Sequence, residues 1–199
     1  MHIGKSQLGG FLTAHGLVYG IARFGNGFLA DRANPRYFMA IGLFCSALMS
    51  VGFGLSSGVW TFGIFWLLNG WFQGMGFAPC ARSMTHWFAP KELATKLSIW
   101  NTSHSIGASL VVVFCGALVG FGWRWCFFVP AAIALLGAGL LWLALRDTPS
   151  SVGLPELGEA VARAKQKEDS AEFRAFLRRH VFRNPAIWYL SFANFFVYI

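Results

Sequence analysis

The sequence predicts an all-α protein: a polytopic membrane helix bundle with five full spans and part of a sixth. Hydrophobic residues make up 56% of the 199 residues and charged residues 12%, whereas about a quarter of a soluble domain is charged. The charges are also segregated, because Asp, Glu, Lys and Arg are absent from long stretches, whose lengths suit the roughly 20 apolar residues of a membrane span. Those stretches are 6–22, 37–81, 97–123, 125–145 and 184–199.

The first two uncharged stretches predict three spans. The first span ends at a polar turn with the sequence DRANPR, residues 31–36. The 37–81 stretch is long enough for two spans, and the turn residues Ser-Ser-Gly at 56–58 divide it. We expect the third span to continue as a helix to Phe88 and to kink at Pro79. The predicted spans are 8–30, 37–55 and 59–81.

The rest of the chain predicts two more spans, a loop and the start of another helix. The spans cover 97–121 and 125–145. Within the following polar segment, 171–185 mixes apolar side chains with arginines, as helices that lie on a membrane surface do. The chain therefore divides into a transmembrane half at 1–147, a cytoplasmic central loop at 148–185 and the start of the next helix at 186–199.

The basic residues indicate how the spans are oriented. On one side of the predicted membrane there are two in 31–36, two in 86–96 and eight in 146–184. The opposite side holds only Lys5 and Arg124. By the positive-inside rule the first three segments face the cytoplasm, and we expect a multi-pass protein of the plasma (inner) membrane. The net charge of +8 thus reflects topology, and we expect no nucleic-acid partner.

The sequence shows no catalytic or metal-binding pattern. Four cysteines lie within predicted spans and no two have CxxC spacing, so we predict neither a zinc site nor a disulfide framework. We also find no nucleophile–base pair and no metal-ligand spacing. We therefore expect no cofactor, no metal ion and no enzymatic activity. The cysteines are Cys45, Cys80, Cys115 and Cys126.

Polar residues in the fourth span form one candidate site. Asn101, His104, Ser105 and Ala108 are spaced so that they share a helix face. His104 lies twelve residues from Glu92, which is about 18 Å along a helix and close to the middle of the bilayer. Polar groups at that depth usually face a bundle interior or a water-filled cavity. A hydrogen bond between neighbouring helices is the alternative.

Arg23 marks a second candidate site in the first span. It lies eight residues before Asp31, about 12 Å inside the cytoplasmic end, where an Arg costs at least about 2.5–3.5 kcal/mol on insertion scales. The side chain could instead extend to the cytoplasmic headgroups. We favour an anion site, because the donor fork of a guanidinium matches phosphate oxygens. Tyr19, one turn earlier, adds a hydroxyl on the same face.

The turn after the first span carries a third group of candidates. Gly27 precedes it, and Asp31, Arg32 and Arg36 lie within it. An acid and two bases at a cytoplasmic turn can pair with the ends of neighbouring helices. We expect such pairs to hold one conformation closed.

Four motifs resemble one family. GFLADRANPR, residues 27–36, resembles the loop motif of the major facilitator superfamily. The other three resemble its organophosphate:phosphate antiporters, which include glycerol-3-phosphate and hexose-phosphate transporters. They are GWFQGMGFAPCARSMTHWF (70–88), WNTSHSIG (100–107) and RDTPSSVGLP (146–155). The resemblance extends over essentially the whole chain.

The resemblance implies a partial major facilitator fold. The family has twelve helices in two halves, and the chain corresponds to the second helix through the start of the seventh. Members exchange a phosphate ester for inorganic phosphate by alternating access. We expect the complete protein to be a monomer. Without its missing helices we expect the fragment to be inactive.

The resemblance also implies roles for individual residues. His104 matches the central substrate-site histidine, and Asn101 lies beside it. Arg23 matches a basic pore residue that is Lys in the family pattern. Tyr19 and Tyr198 match pore-facing tyrosines. The two arginines that clamp phosphate in the family belong to the first and seventh helices, and the chain contains neither.

Two other functions stay open at this point. The family includes transporter-like receptors that report external sugar phosphate to a signalling kinase. A major facilitator carrier for another organic anion, such as a carboxylate, is also compatible with the residues. The sequence does not identify the phosphate ester.

Overall fold

The computed structural model describes residues 5–155, 183–186 and 188–189. The chain divides into two compact units, Met1–Pro155 and Glu156–Ile199. The described part of the first unit is helical and contains no strand, which confirms the predicted all-α class. Its helices are α1 (Lys5–Arg32), α2 (Pro35–Leu55), α3 (Val59–Gln73), α4 (Phe77–Trp87), α5 (Pro90–Leu118) and α6 (Trp125–Ala144).

In the second unit, Pro185, Ala186, Trp188 and Tyr189 are helical. Most of the predicted surface helix at 171–185 lies outside the described residues, and so does Tyr198.

Prolines and a side-chain cap fix where two of the helices begin. Asn34 caps α2 by accepting a hydrogen bond from the backbone N–H of Arg36 at 3.0 Å, and Pro35 occupies the first turn. Pro90 starts α5, seven residues before the predicted start of that span. Proline suits a first turn because its missing N–H would have no helical partner there. The uncharged stretch therefore predicts where the membrane span lies, whereas the proline determines where the helix begins.

The predicted third span is broken into α3 and α4 at residues 74–76. Pro79 cannot donate to the carbonyl of Met75, and its ring would clash with that carbonyl in a continuous helix. The chain instead makes a tight turn, in which the N–H of Met75 bonds to Phe72 O at 3.1 Å and that of Gly76 to Gln73 O at 3.4 Å. The break thus lies before the proline and not at it.

Glycines bring α1 into close contact with the α3–α4 region. A Cβ on Gly70 would lie 2.9 Å from the His15 Nδ1, and one on Gly74 would lie 2.8 Å from the Ala22 Cβ. The His15 Nδ1 is 2.9 Å from the Trp66 carbonyl. Because the ring nitrogen and the helix backbone are so close, neither glycine position has room for a methyl group.

The helix α5 lies at the edge of the described bundle. None of its residues is buried, and its contacts are mainly with α4 and α6. Among the residues that the structure describes, three segments are long and apolar enough to cross a membrane: α2, Pro90–Phe121 (α5 with the short 3₁₀ turn after it) and α6. The helix α1 is long enough but more polar, and α3 has only 15 residues because of the break.

Candidate functional site

Arg23 lies on α1 beside the α3–α4 break, with its side chain exposed. Its guanidinium carbon is 4.1 Å from the centroid of the Phe77 ring and 5.6 Å from that of Tyr19. A Cβ on Gly74 would lie 3.1 Å from the Arg23 nitrogen, so the backbones meet closely at this point. Tyr19 and Arg23 share a face of α1, as the sequence predicts.

Phe77 connects Arg23 to the helix that carries the WNTSHSIG segment. It is the first residue of α4, and its ring centroid lies 5.2 Å from that of Trp100 on α5. A guanidinium that stacks on an aromatic face is attracted by the ring electrons. Arg23, Phe77 and Trp100 therefore form a continuous series of contacts from α1 through α4 to α5.

Sequence reasoning missed Phe77 and Trp100. Trp100 opens the quoted WNTSHSIG motif, and Phe77 follows the glycine pair of the GWFQGMGF motif. Both signals were present, but an apolar ring in a span usually indicates packing, and nothing in the sequence showed which rings meet Arg23.

His104 and Asn101 lie on α5 next to this cluster of contacts. His104 is one helical turn after Trp100 and so shares its face. Both side chains are exposed, and within the described part of the chain neither has a hydrogen-bond partner or ring contact. The structure thus groups Tyr19, Arg23, Phe77 and Trp100 directly. It places His104 and Asn101 on the adjoining turn without direct contact to Arg23.

The cluster is cationic, with no opposing acid in the described residues. The Arg23 guanidinium has no carboxylate or carbonyl partner there, so its edge is free to donate. The N-terminus of α4 begins at Phe77, and a helix N-terminus carries a partial positive charge. These groups suit a bound anion. Among the residues described, no three His, Cys, Asp or Glu side chains come together as metal ligands.

The loop motif contacts the ends of other helices. The Arg36 Nε donates to the carbonyl of Trp142 near the end of α6. Asp31 and Arg32 are exposed, and their side chains have no partner in the described portion of the chain. A Cβ on Gly27 would meet no atom within 4 Å, so local packing there does not require glycine.

Arg82, on α4, has a defined structural role at the end of α1. Its Nη1 donates to the carbonyl oxygens of Ala30, Asp31 and Ala33 at 2.7, 2.9 and 3.3 Å. The last carbonyls of a helix lack helical partners, and a cation beside them is favourable. Arg82 therefore caps the C-terminus of α1 from α4.

Solved structures of similar fold include a transporter structure. It is a bacterial homologue of the human lysosomal transporter Spinster, in an inward-facing and unoccupied conformation. The TM-score is 0.63, with 20% sequence identity over 90% of this chain and 41% of that chain.

Curated relatives share more of the sequence. The glycerol-3-phosphate transporter of Bacillus subtilis is 42% identical over 205 residues, and a probable hexose phosphate transport protein of Chlamydia trachomatis is 40% identical over 210. The membrane sensor protein UhpC of Escherichia coli is 36% identical over 203. These matches cover 98%, 98% and 99% of this chain but 46% of each relative, so the chain spans about half their length.

The sequence profile of the Major Facilitator Superfamily matches residues 1–199. That match covers all of the helices described above, including the α3–α4 break and the loop motif. The chain belongs to the Major Facilitator Superfamily.

Proposed function

We propose that the chain is part of a carrier that exchanges an organic phosphate ester for inorganic phosphate by alternating access. The ester is glycerol-3-phosphate or a hexose phosphate. The observation that carries the proposal is the Arg23 guanidinium, which is exposed, stacks on Phe77 and has no acidic partner among the described residues. The names of the relatives support this substrate class.

Arg23 is proposed to hold the phosphate group. Its flat face is covered by Phe77, so the donors along its edge are the groups available to a ligand. Two parallel N–H donors match two phosphate oxygens, and charge-assisted bonds of this kind are about twice as strong as neutral ones. Stacking on Phe77 also limits the orientations of the guanidinium, which reduces the entropy lost on binding.

His104, Asn101 and Tyr19 are proposed to complete the substrate path. An imidazole donates a hydrogen bond whether it is neutral or protonated, and amide and phenol groups donate as well. Tyr198, which is outside the described residues, is proposed as a further pore-facing hydroxyl. None of these side chains is a carboxylate, so none of them opposes a phosphate dianion in the way that Asp or Glu would.

The same cationic cluster explains why exchange would be favoured over one-way release. Without a bound anion, the unpaired charge of Arg23 would be costly to move through a poorly hydrated interior. A site that must carry an anion on each crossing takes phosphate in one direction and the ester in the other. Both ligands present the same phosphate group to Arg23, and they differ only in the group attached to it.

The working carrier is proposed to need helices beyond this chain. We propose that the 199 residues alone do not transport, that the complete protein is a monomer of the plasma membrane, and that it has no enzymatic activity. Segments 31–36, 86–96 and 146–184 are proposed to face the cytoplasm. Asp31, Arg32 and Arg36 are proposed to hold one conformation closed.

A hybrid carrier tests the proposal. This chain would replace the matched 46% of the Bacillus subtilis glycerol-3-phosphate transporter, and the hybrid would be reconstituted in liposomes preloaded with phosphate. We expect labelled phosphate and glycerol-3-phosphate or glucose-6-phosphate to exchange in the hybrid. Liposomes containing the 199-residue chain alone should show no uptake. Insertion into liposomes is checked by protease protection.

Two results would contradict the proposal. Uptake of succinate at a rate similar to that of phosphate would favour a carboxylate carrier. Exchange that is unchanged by both Arg23→Ala and His104→Ala would remove these residues from the substrate path.

The relationship to a membrane sensor favours one second candidate. A sensor would bind an external sugar phosphate without moving it. Added glucose-6-phosphate would then protect the hybrid protein against thermal unfolding. The rate of exchange, however, would stay at the level of empty liposomes. Transport above that level excludes a pure sensor.

A further inference from the structure

Two cysteines that are eleven residues apart in the sequence come together where α5 and α6 meet. The Cys115 Sγ lies 3.8 Å from the carbonyl oxygen of Cys126, and the Cys126 Sγ lies 3.6 Å from the carbonyl oxygen of Cys115. Each side chain therefore points at the other residue, and both are free thiols.

The positions of the two residues make this contact accessible. Cys115 lies in the last turn of α5 and Cys126 in the first turn of α6. Both side chains are half-buried, and Phe121 in the connecting segment and Trp125 at the start of α6 are exposed. A small water-soluble reagent can therefore reach the pair from the outer end of the hairpin.

The basic-residue distribution places this end outside the cytoplasm. The α5–α6 connection holds only Arg124, whereas the three segments at the other end of the spans hold twelve Lys and Arg residues. Compartments outside the cytoplasm are the ones in which disulfides form and persist.

We propose that Cys115 and Cys126 form a disulfide when the outer face of the membrane is oxidising. The thiolate of one cysteine attacks a sulfur of a small disulfide such as glutathione disulfide and expels one thiolate. The second cysteine then attacks the mixed disulfide and expels the other. The protein loses two electrons and two protons, and the oxidant is reduced to two thiols.

The bond would fix the outer end of α5, which is the least buried helix of the described bundle. The same helix carries Asn101 and His104, so the oxidation state of the pair would set how firmly the polar segment of α5 is held against α6. The contact geometry does not depend on the proposed substrate, and only the oxidising compartment depends on the proposed orientation.

Thiol counting on the full 199-residue chain tests the pairing. The chain in detergent micelles is incubated with reduced or oxidised glutathione, denatured and labelled with a maleimide-polyethylene glycol that adds a fixed mass per thiol. We expect four labels after reduction and two after oxidation, because two of the four cysteines become unreactive. Peptide mass spectrometry should assign the bond to Cys115 and Cys126, with the protein remaining monomeric on a non-reducing gel.

Matched variants separate this pair from the other two cysteines. Cys45→Ser/Cys80→Ser should go from two labels to none on oxidation, whereas Cys115→Ser/Cys126→Ser should keep both. Four labels in the oxidised wild-type chain, a bond through Cys45 or Cys80, or linkage between chains would each overturn the proposal. The wild-type peptide map decides the matter even if a variant fails to fold.

Acid trapping of whole cells tests the compartment separately. Cells that express the chain are quenched in acid and labelled before reduction. Pairing in the glutathione experiment but not in cells would overturn the proposed oxidation in cells and leave the pairing established.

Discussion

At the residue scale, candidate residues could be selected from the sequence, and their roles in a site stay predictions. Arg23, His104 and Asn101 stand out because polar groups in a span are costly, and that cost can be read from the sequence. Their surroundings could not be predicted, because the contact of Arg23 with Phe77 depends on where α3 ends. The Cys115–Cys126 contact was likewise missed, since CxxC spacing detects local pairs and not pairs brought together by a helical hairpin.

Substitutions of Arg23 should show whether phosphate binding needs only a positive charge at this position or also the planar guanidinium. In the hybrid carrier we expect Arg23→Ala to raise the phosphate concentration needed for half-maximal uptake about 10- to 100-fold. The reason is that a hydrogen bond to a charged group contributes about 1.5–3 kcal/mol. Arg23→Lys should recover part of the loss, since it keeps the charge but not the fork. Half-saturation is measured from labelled phosphate uptake over a range of concentrations.

Lys91→Ala is the matched control for that series. Lys91 is exposed at the start of α5, away from the Phe77 contact, so removal of its charge should leave half-saturation within about twofold of the parent. An equal loss in this variant would mean that net charge alone, and not the Arg23 position, governs phosphate binding.

At the element scale, apolar length predicted the bounds of some helices closely, and it did not predict where the third span is interrupted. Apolar length located α2 and α6 to within two residues at each end. The break at 74–76 was expected as a kink at Pro79. The sequence shows the proline, but whether a helix bends or stops depends on whether neighbours stabilise the turn. Here the close approach of α1 to Gly74 accompanies the turn.

Gly74→Ala tests that close approach. The added methyl would meet Ala22 Cβ at 2.8 Å and backbone atoms of Ala22 and Arg23 at 3.1 Å, and backbone cannot move aside easily. Overpacking typically costs about 1–3 kcal/mol, so we expect the apparent melting temperature to fall by about 2–10 °C. Tryptophan fluorescence of the detergent-solubilised chain during heating measures it.

Gly20→Ala provides the comparison on α1. A Cβ there would meet nothing within 4 Å, so alanine should be neutral or slightly stabilising through its higher helix propensity. If both variants lower the melting temperature equally, close packing at Gly74 is not the cause.

At the scale of the whole molecule, the fold class and the family could be predicted, because charge segregation and four motifs extend along the entire chain. The orientation in the membrane remains a prediction from the basic residues. It rests on the count of basic residues, which is twelve on one side of the predicted membrane and two on the other. No contact within the helix bundle depends on which side faces the cytoplasm.

Thiol labelling of intact cells tests that orientation. In a variant with all four cysteines changed to Ser, Ser57→Cys should react with a membrane-impermeant maleimide in intact cells, because 56–58 joins α2 to α3 on the predicted outer side. Lys91→Cys should react only after the cells are made permeable. The opposite pattern would reverse the predicted topology, and both positions are exposed.

The three bonds from Arg82 have a consequence for how the protein opens locally. Helix ends normally fray, and their amides then exchange hydrogen with solvent quickly. One guanidinium nitrogen holds three carbonyls between Ala30 and Ala33, so the final turn of α1 cannot unwind unless α4 releases it. Deuterium uptake at this turn should therefore be slow, and it should rise together with uptake in the last turns of α4.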